Sequence, residues 1–195
     1  MGRPSKMNLE EFLRRATDLF WARGADAVST RDLEEALDLR APAIYRRFKS
    51  KDELLARCID YYVDTVIAGR IKRFLNDEND PIYSLREFFT TTLRPHKTEP
   101  GLRGCLLANT AAHAEAQVPE VRAALHRGWR SVDRGFRRQL ERAQDAGRID
   151  QQIDPESLSL ALLMSMEGLL TLARTGLLDL RPGIDATFKL LEARG

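Results

Sequence analysis

The residues best suited to chemistry in this chain are cationic and clustered. Between Arg40 and Lys51 stand Arg40, Arg46, Arg47, Lys49 and Lys51, with no acidic residue among them. A run of this kind is either a solvated face or a surface that meets phosphates. Taken alone, such a run is more often the solvated face. Residues 1–51 carry 11 Lys or Arg against 8 Asp or Glu, so the front of the chain holds the basic excess behind the overall charge of +2. Arg3 and Lys6 precede the first helical pattern as a short basic arm. Elsewhere the reactive side chains are scattered. His96, His113 and His126 fall on different expected elements without metal-ligand spacing, and Cys58 and Cys105 match no zinc motif. No Gly-rich phosphate loop, Gly-x-Ser-x-Gly or His-Glu-x-x-His is present, so the expectation is no enzyme, no cofactor and no metal.

The elements that position the basic cluster follow from apolar spacing. Leu9, Phe12, Leu13, Ala16, Leu19 and Phe20 recur at three- and four-residue steps, which predicts a helix from about Leu9 to Arg23, with Asn8 as N-cap and Gly24 as its stop. Ser29 or Thr30 opens a second helix of about two turns, with Asp32 reaching back and Leu33, Ala36 and Leu37 facing inward. Pro42 is tolerated only in a first turn, so a third short helix begins near Ala41 and buries Ile44 and Phe48. Ser50-Lys51-Asp52-Glu53 is a capping box that starts a fourth helix, carried by Leu54, Leu55, Cys58, Ile59, Tyr62 and Val66 to about Leu75. A long helix, two short ones joined by a tight turn and a fourth behind them describe a helix-turn-helix unit.

The series Tyr45, Phe48, Lys51 and Leu54, with Val28 to Ala36 before it and Ala41 to Leu55 around it, closely resembles the TetR family of bacterial repressors. Two positions depart from that pattern: Asp38 stands where such turns usually have glycine, and Arg40 where they have a small polar residue. The resemblance implies an all-α chain. Residues 1–51 are expected to form the DNA-binding domain and residues 52–195 a larger helical domain for ligand binding and dimerisation. A recognition helix exposes its N-terminal turns to base edges, so Arg40 is the expected reader of a guanine, Ala41, Pro42 and Ala43 suit thymine methyls, and Arg46 shares that surface. Thr30, Tyr45, Arg47 and Lys51 are placed by the resemblance as phosphate contacts.

Beyond the polar break at 76–81, helices are expected over 82–93, 102–116, 119–146, 155–175 and 184–193, with the longest irregular stretch at 96–104 and no internal repeat. The longest uninterrupted apolar run, Leu160 to Met164, is far short of a membrane span, and the expected location is the cytoplasm. Leu158, Leu162, Ser165, Gly168, Leu169 and Leu172 form a broad apolar surface on the helix from Pro155; a twofold dimer seam or a central core helix explains it, and operator reading in two half-sites favours the dimer. The resemblance implies a small-molecule inducer of unknown identity. Phe89, Cys105, Asn109, His113, Trp129, Met164 and Glu167 are candidates to line its pocket, with Phe88 and Phe136 beside them; each is equally a structural residue by pattern alone. The expected function is that of a dimeric repressor that binds a palindromic operator and is released by that inducer. The alternative uses Cys105 as a redox or electrophile sensor, because Gly104-Cys105-Leu106 resembles the cysteine segment of some TetR-like repressors and Arg103 adds a positive charge next to it.

Overall fold

Side-chain caps set where the front helices begin. In the computed structural model, which describes residues 7–93 and 103–192, the Asn8 carboxamide accepts the Glu11 amide at 2.8 Å and starts α1, Leu9–Arg23. Gly24 ends it at φ +87, a conformation that costs glycine nothing because it has no Cβ. Ser29 and Asp32 exchange reciprocal hydrogen bonds, so the expected capping box opens α2, Thr30–Leu37. The serine hydroxyl and amide hold the exposed Asp32 carboxyl below its usual range, with Arg23 adding to this. After a tight turn comes α3, Ala41–Tyr45, and then α4, Lys51–Tyr62. Ser50 caps α4 through the Glu53 amide at 3.0 Å, while the Glu53 carboxylate reaches the amide of Lys49 rather than that of Ser50.

The fourth helix is not the single α-helix its periodicity predicts. A π-helical segment, Val63–Ile67, separates α4 from α5, Ala68–Phe74. Within it the Thr65 hydroxyl donates to the Tyr61 carbonyl at 2.6 Å, competing with the helical ladder where β-branched residues crowd.

Behind the front unit lie α6, Pro81–Thr92, the short α7, Leu106–Ala111, a 3-10 turn, Ala114–Gln117, the long α8, Pro119–Asp145, then α9, Pro155–Ala173, and α10, Arg181–Glu192. All regular elements among the described residues are helical. The basic arm at Arg3 and Lys6, most of the irregular stretch at 96–104, the expected helix start at Leu102 and the end of the last helix at Ala193 lie outside those residues.

α8 is the axis of the rear half, packing on α4, α6 and α9. Its inward stripe, from Val121 and Ala124 through Val132 and Phe136 to Leu140, is what an amphipathic helix offers a core. Phe136 stacks on Phe89 at 5.8 Å and meets Phe88 edge-on at 5.3 Å; Phe188 of α10 closes the cluster against Phe89. Phe88, Phe89 and Phe136 are thereby buried in this core. α4 touches α1 in front and α8 behind, so the two halves are joined by a shared helix instead of a linker.

Candidate functional site

The front surface is built around α3. Ile44 and Phe48 are buried against α1, with the Phe48 and Phe12 rings 5.4 Å apart, which leaves Pro42 and Arg46 exposed and Ala41, Ala43 and Tyr45 half-exposed on the opposite side. Arg40 stands at the N-cap position, exposed; its side chain makes no capping bond and pairs with no carboxylate among the described residues. The missing cap comes from α2, where Glu34 accepts the Ala41 amide at 2.6 Å. Sequence spacing alone did not single out Glu34, since its role depends on the angle between two helices.

That angle is set by the turn at Asp38. Its φ of 50 and ψ of 43 are left-handed, and its amide and that of Leu39 bond back to α2 carbonyls at Glu34 and Glu35. The site demands the conformation that glycine adopts without strain, and it also places a carboxylate at the negative end of a helix dipole. Asp38→Gly is expected to raise stability by about 1 kcal/mol, read from urea unfolding, with operator preference unchanged.

Thr30 and Tyr45 bring their hydroxyls within 3.1 Å of each other at the edge of this surface, and the exposed Arg47 guanidinium lies 5.4 Å over the Phe12 ring. All three present polar groups on the flank of α3. Lys51 does not join them. Its ammonium turns inward and donates to the carbonyls of Ala25 and Val28 at 2.9 and 3.2 Å, so it clasps the loop before α2. Two carbonyls thus hold this half-buried amine within the fold, where the resemblance implies a phosphate contact.

The rear candidates separate into three groups. Met164 is 67% exposed and lies on the open face of α9. His113 is exposed and sits 3.5 Å from Asp26, and Asn109 is held between the Arg103 carbonyl at 3.0 Å and the Arg174 guanidinium at 2.7 Å, so its polar ends serve the fold. Cys105, Trp129 and Glu167 do converge. The Trp129 indole donates to the Glu167 carboxylate at 3.3 Å, while the other carboxylate oxygen is buried without a partner. Burial raises the Glu167 carboxyl above its usual range, and hydrogen bonds from Trp129 and Cys105 only partly offset this. Tyr62, whose ring meets Trp21 at 5.0 Å, is a further member that its helical spacing did not distinguish from core.

This cluster removes the electrostatic case for a reactive thiol. Burial pushes the Cys105 thiol up to about 12, the Glu167 carboxylate adds to the rise, and backbone hydrogen bonds at Ala108 and Leu107 offset only part of it. Arg103, counted on to favour the thiolate, turns instead to Asp18 at 3.4 Å and to the Trp21 ring at 5.4 Å. Cys58 is likewise raised to about 12 by burial. Because both folded values exceed the ordinary 9.0, the unfolded chain loses these protons first; their contribution is complete below pH 9 and is lost as pH rises toward 12. Urea midpoints are therefore expected to fall above about pH 9, and iodoacetamide at neutral pH to modify both thiols only after unfolding.

By length and composition alone α9 is apolar enough to cross a membrane, a test that the core helices of folded domains also pass. It packs along α8 through Ser159, Leu162, Met166, Leu170 and Ala173, with the Ser159 hydroxyl donating to Asp133 at 2.5 Å. Leu162 is thus spent inside the protomer, not on an outer seam, and Leu158 and Leu169 are half-buried at the edge of that packing. Ser165, Gly168 and Leu172 remain exposed together with Leu160 and Met164, and a Cβ built at Gly168 would meet nothing within 4 Å. Among the described residues no three His, Cys, Asp or Glu gather as a metal site.

Comparison with known proteins agrees with this architecture at both ends. Residues 12–58 match the family described as bacterial regulatory proteins, tetR family, and residues 81–177 match the tetracyclin repressor-like C-terminal domain. The chain belongs to the TetR family. It is a DNA-binding transcriptional regulator of that family and not an enzyme. The repressor ComR of Escherichia coli K12 is 25% identical over 175 residues, spanning 90% of this chain and 83% of ComR. The TetR family regulator CifR, solved as a cysteine mutant with a 26-base-pair operator, superposes with a TM-score of 0.79 at 25% identity over 98% of both chains. Reduced NemR of E. coli shares the fold at the same TM-score, 15% identity and 94% coverage of each chain.

Proposed function

We propose that this TetR family member is a homodimeric repressor, released from a palindromic operator by a reversibly bound small molecule, and that it acts in the cytoplasm. The observation that carries the reading is the exposed face of α3, where an unpaired Arg40 is followed by three small or rigid apolar residues and flanked by the Thr30–Tyr45 hydroxyl pair, Arg46 and Arg47. An arginine with no acid partner among the described residues is available for the bidentate geometry that guanine offers, and Ala41, Pro42 and Ala43 let the backbone approach thymine methyls. The operator complex of CifR supports this placement. Residues 1–51 supply the reading head and residues 52–195 the dimer and effector functions, with α4 shared between them.

A second copy of the chain is the occupant proposed for the open α9 face, since Leu160, Met164 and Leu172 are exposed in one continuous strip with Ser165 and Gly168. Reversible ligand binding is favoured over electrophile sensing because the Cys105 thiol is buried and held protonated. Selection of bound fragments from random DNA tests the reading as a whole. The expected product is an inverted repeat with half-sites about one helical turn, or a multiple of it, apart. Recovery of sequences without dyad symmetry sinks the dimeric reading mode, and recovery of none sinks operator recognition.

A further inference from the structure

An open groove of about 740 Å³ lies between the start of α8, the end of α7 and the 3-10 turn. Its size falls within the range of small-molecule sites. Trp129, Pro119 and Leu125 supply an apolar wall, and Arg122, His126 and Gln117 supply the polar groups. The Arg122 guanidinium is exposed and pairs with no carboxylate among the described residues. Pro119 opens a 27-residue helix whose N-cap, Val118, provides no side-chain oxygen, so the positive end of that helix adds to the charge already present at the groove. Glu120, the acid of that first turn, is not part of the lining.

The turn that walls this groove also touches the DNA-binding half. Ala116 and Gln117 line the cavity, while the preceding Glu115 points the other way, 3.9 Å from the Lys51 ammonium that clasps the Ala25 and Val28 carbonyls. The second Glu115 oxygen is buried without a partner, and His113 reaches Asp26 in the same loop. One short turn therefore has a ligand-accessible side and a side that holds the loop leading into α2.

We propose that this groove is the effector site, that it takes a small organic anion with a flat apolar body, and that occupancy is transmitted through Glu115 to Lys51. The carboxylate or sulfonate pairs with Arg122, beside His126 and Gln117, while the apolar body lies on Trp129 and Pro119. Closing on Gln117 and Ala116 shifts the turn, and with it the Glu115–Lys51 contact that helps to position the loop before α2. The coupling equals the difference in anion affinity between the two turn positions. This rests on the reading of the chain as an effector-released repressor.

The probe is 1-naphthoate, with the neutral isostere 1-naphthamide, titrated into the full chain by calorimetry and then into the chain bound to its selected operator. Naphthoate is expected to bind at least about tenfold more tightly than naphthamide, and Arg122→Gln to erase that difference while leaving naphthamide binding as it was. Naphthoate is also expected to weaken operator binding about tenfold in the parent and not in Glu115→Gln, which keeps its calorimetric affinity for naphthoate. Equal binding of the two probes, an unchanged preference in Arg122→Gln, or no binding at about 1 mM overturns the site. Release that persists in Glu115→Gln overturns the route. A chain that binds naphthoate through Arg122 but selects no operator keeps the site and loses both the route and the repressor reading.

Discussion

Arg40→Ala is expected to cost about 1–3 kcal/mol on the best operator and to relax preference at one base position in each half-site. The size follows from the state of the side chain in the free protein. Arg40 is exposed, makes no cap to its own helix and pairs with no acid among the described residues, so no internal bond seen there has to break before it binds or is lost on substitution. Stability should stay within about 0.5 kcal/mol of the parent, which separates a DNA effect from unfolding. Arg47→Ala provides the contrast: it should weaken matched and mismatched sites alike and lower the salt slope by about one. Fluorescence anisotropy at fixed salt on matched and single-mismatch duplexes reads both. If Arg40→Ala weakens every sequence equally, Arg40 holds the backbone and reads no base.

Met164→Glu is expected to turn dimers into monomers, with a loss of about 3 kcal/mol or more and hence a dissociation constant raised by about a hundredfold or more. Met164 is 67% exposed in the protomer, so a carboxylate there stays hydrated in the monomer, and the monomer should remain folded by circular dichroism. In a seam between two copies the same carboxylate loses its water, and twofold symmetry brings a second one with it. Gly168→Leu should act in the same direction by about 1–3 kcal/mol, because the space beside Gly168 is open in the protomer and closes only if another helix packs there. Operator affinity should fall with dimerisation in both variants. Sedimentation showing Met164→Glu still dimeric at low concentration moves the seam away from α9.

Local features of the chain determined much of this protein before any tertiary contact was known. The caps at Asn8, Ser29 and Ser50, the stop at Gly24 and the three- and four-residue apolar steps of α1 and α4 each act within one or two helical turns, so their physics is written in adjacent residues. The same locality made the exposed side of α3 legible, since Ile44 and Phe48 can face inward only if Arg40, Pro42 and Arg46 face out. Asp38 marks the limit of such reasoning. Its residue type departs from the expected glycine, yet the backbone takes the left-handed turn anyway, because two returning hydrogen bonds and the packing of α2 on α3 outweigh the local strain.

Where a side chain had a choice of partners, only the assembled structure decided. Lys51 is as cationic as Arg47, but it finds loop carbonyls 23 and 26 residues away and turns inward. Cys105 begins a helix, as its surroundings in sequence suggest, yet its chemistry is set by burial and by Glu167 from a helix some 60 residues later. Leu162 and Met164 are two residues apart on one apolar helix, and α8 buries the first while leaving the second open. Periodicity specifies that a helix has an apolar face; which part of a broad face meets its own fold, and which is left for another molecule, depends on the angle at which a distant helix crosses it.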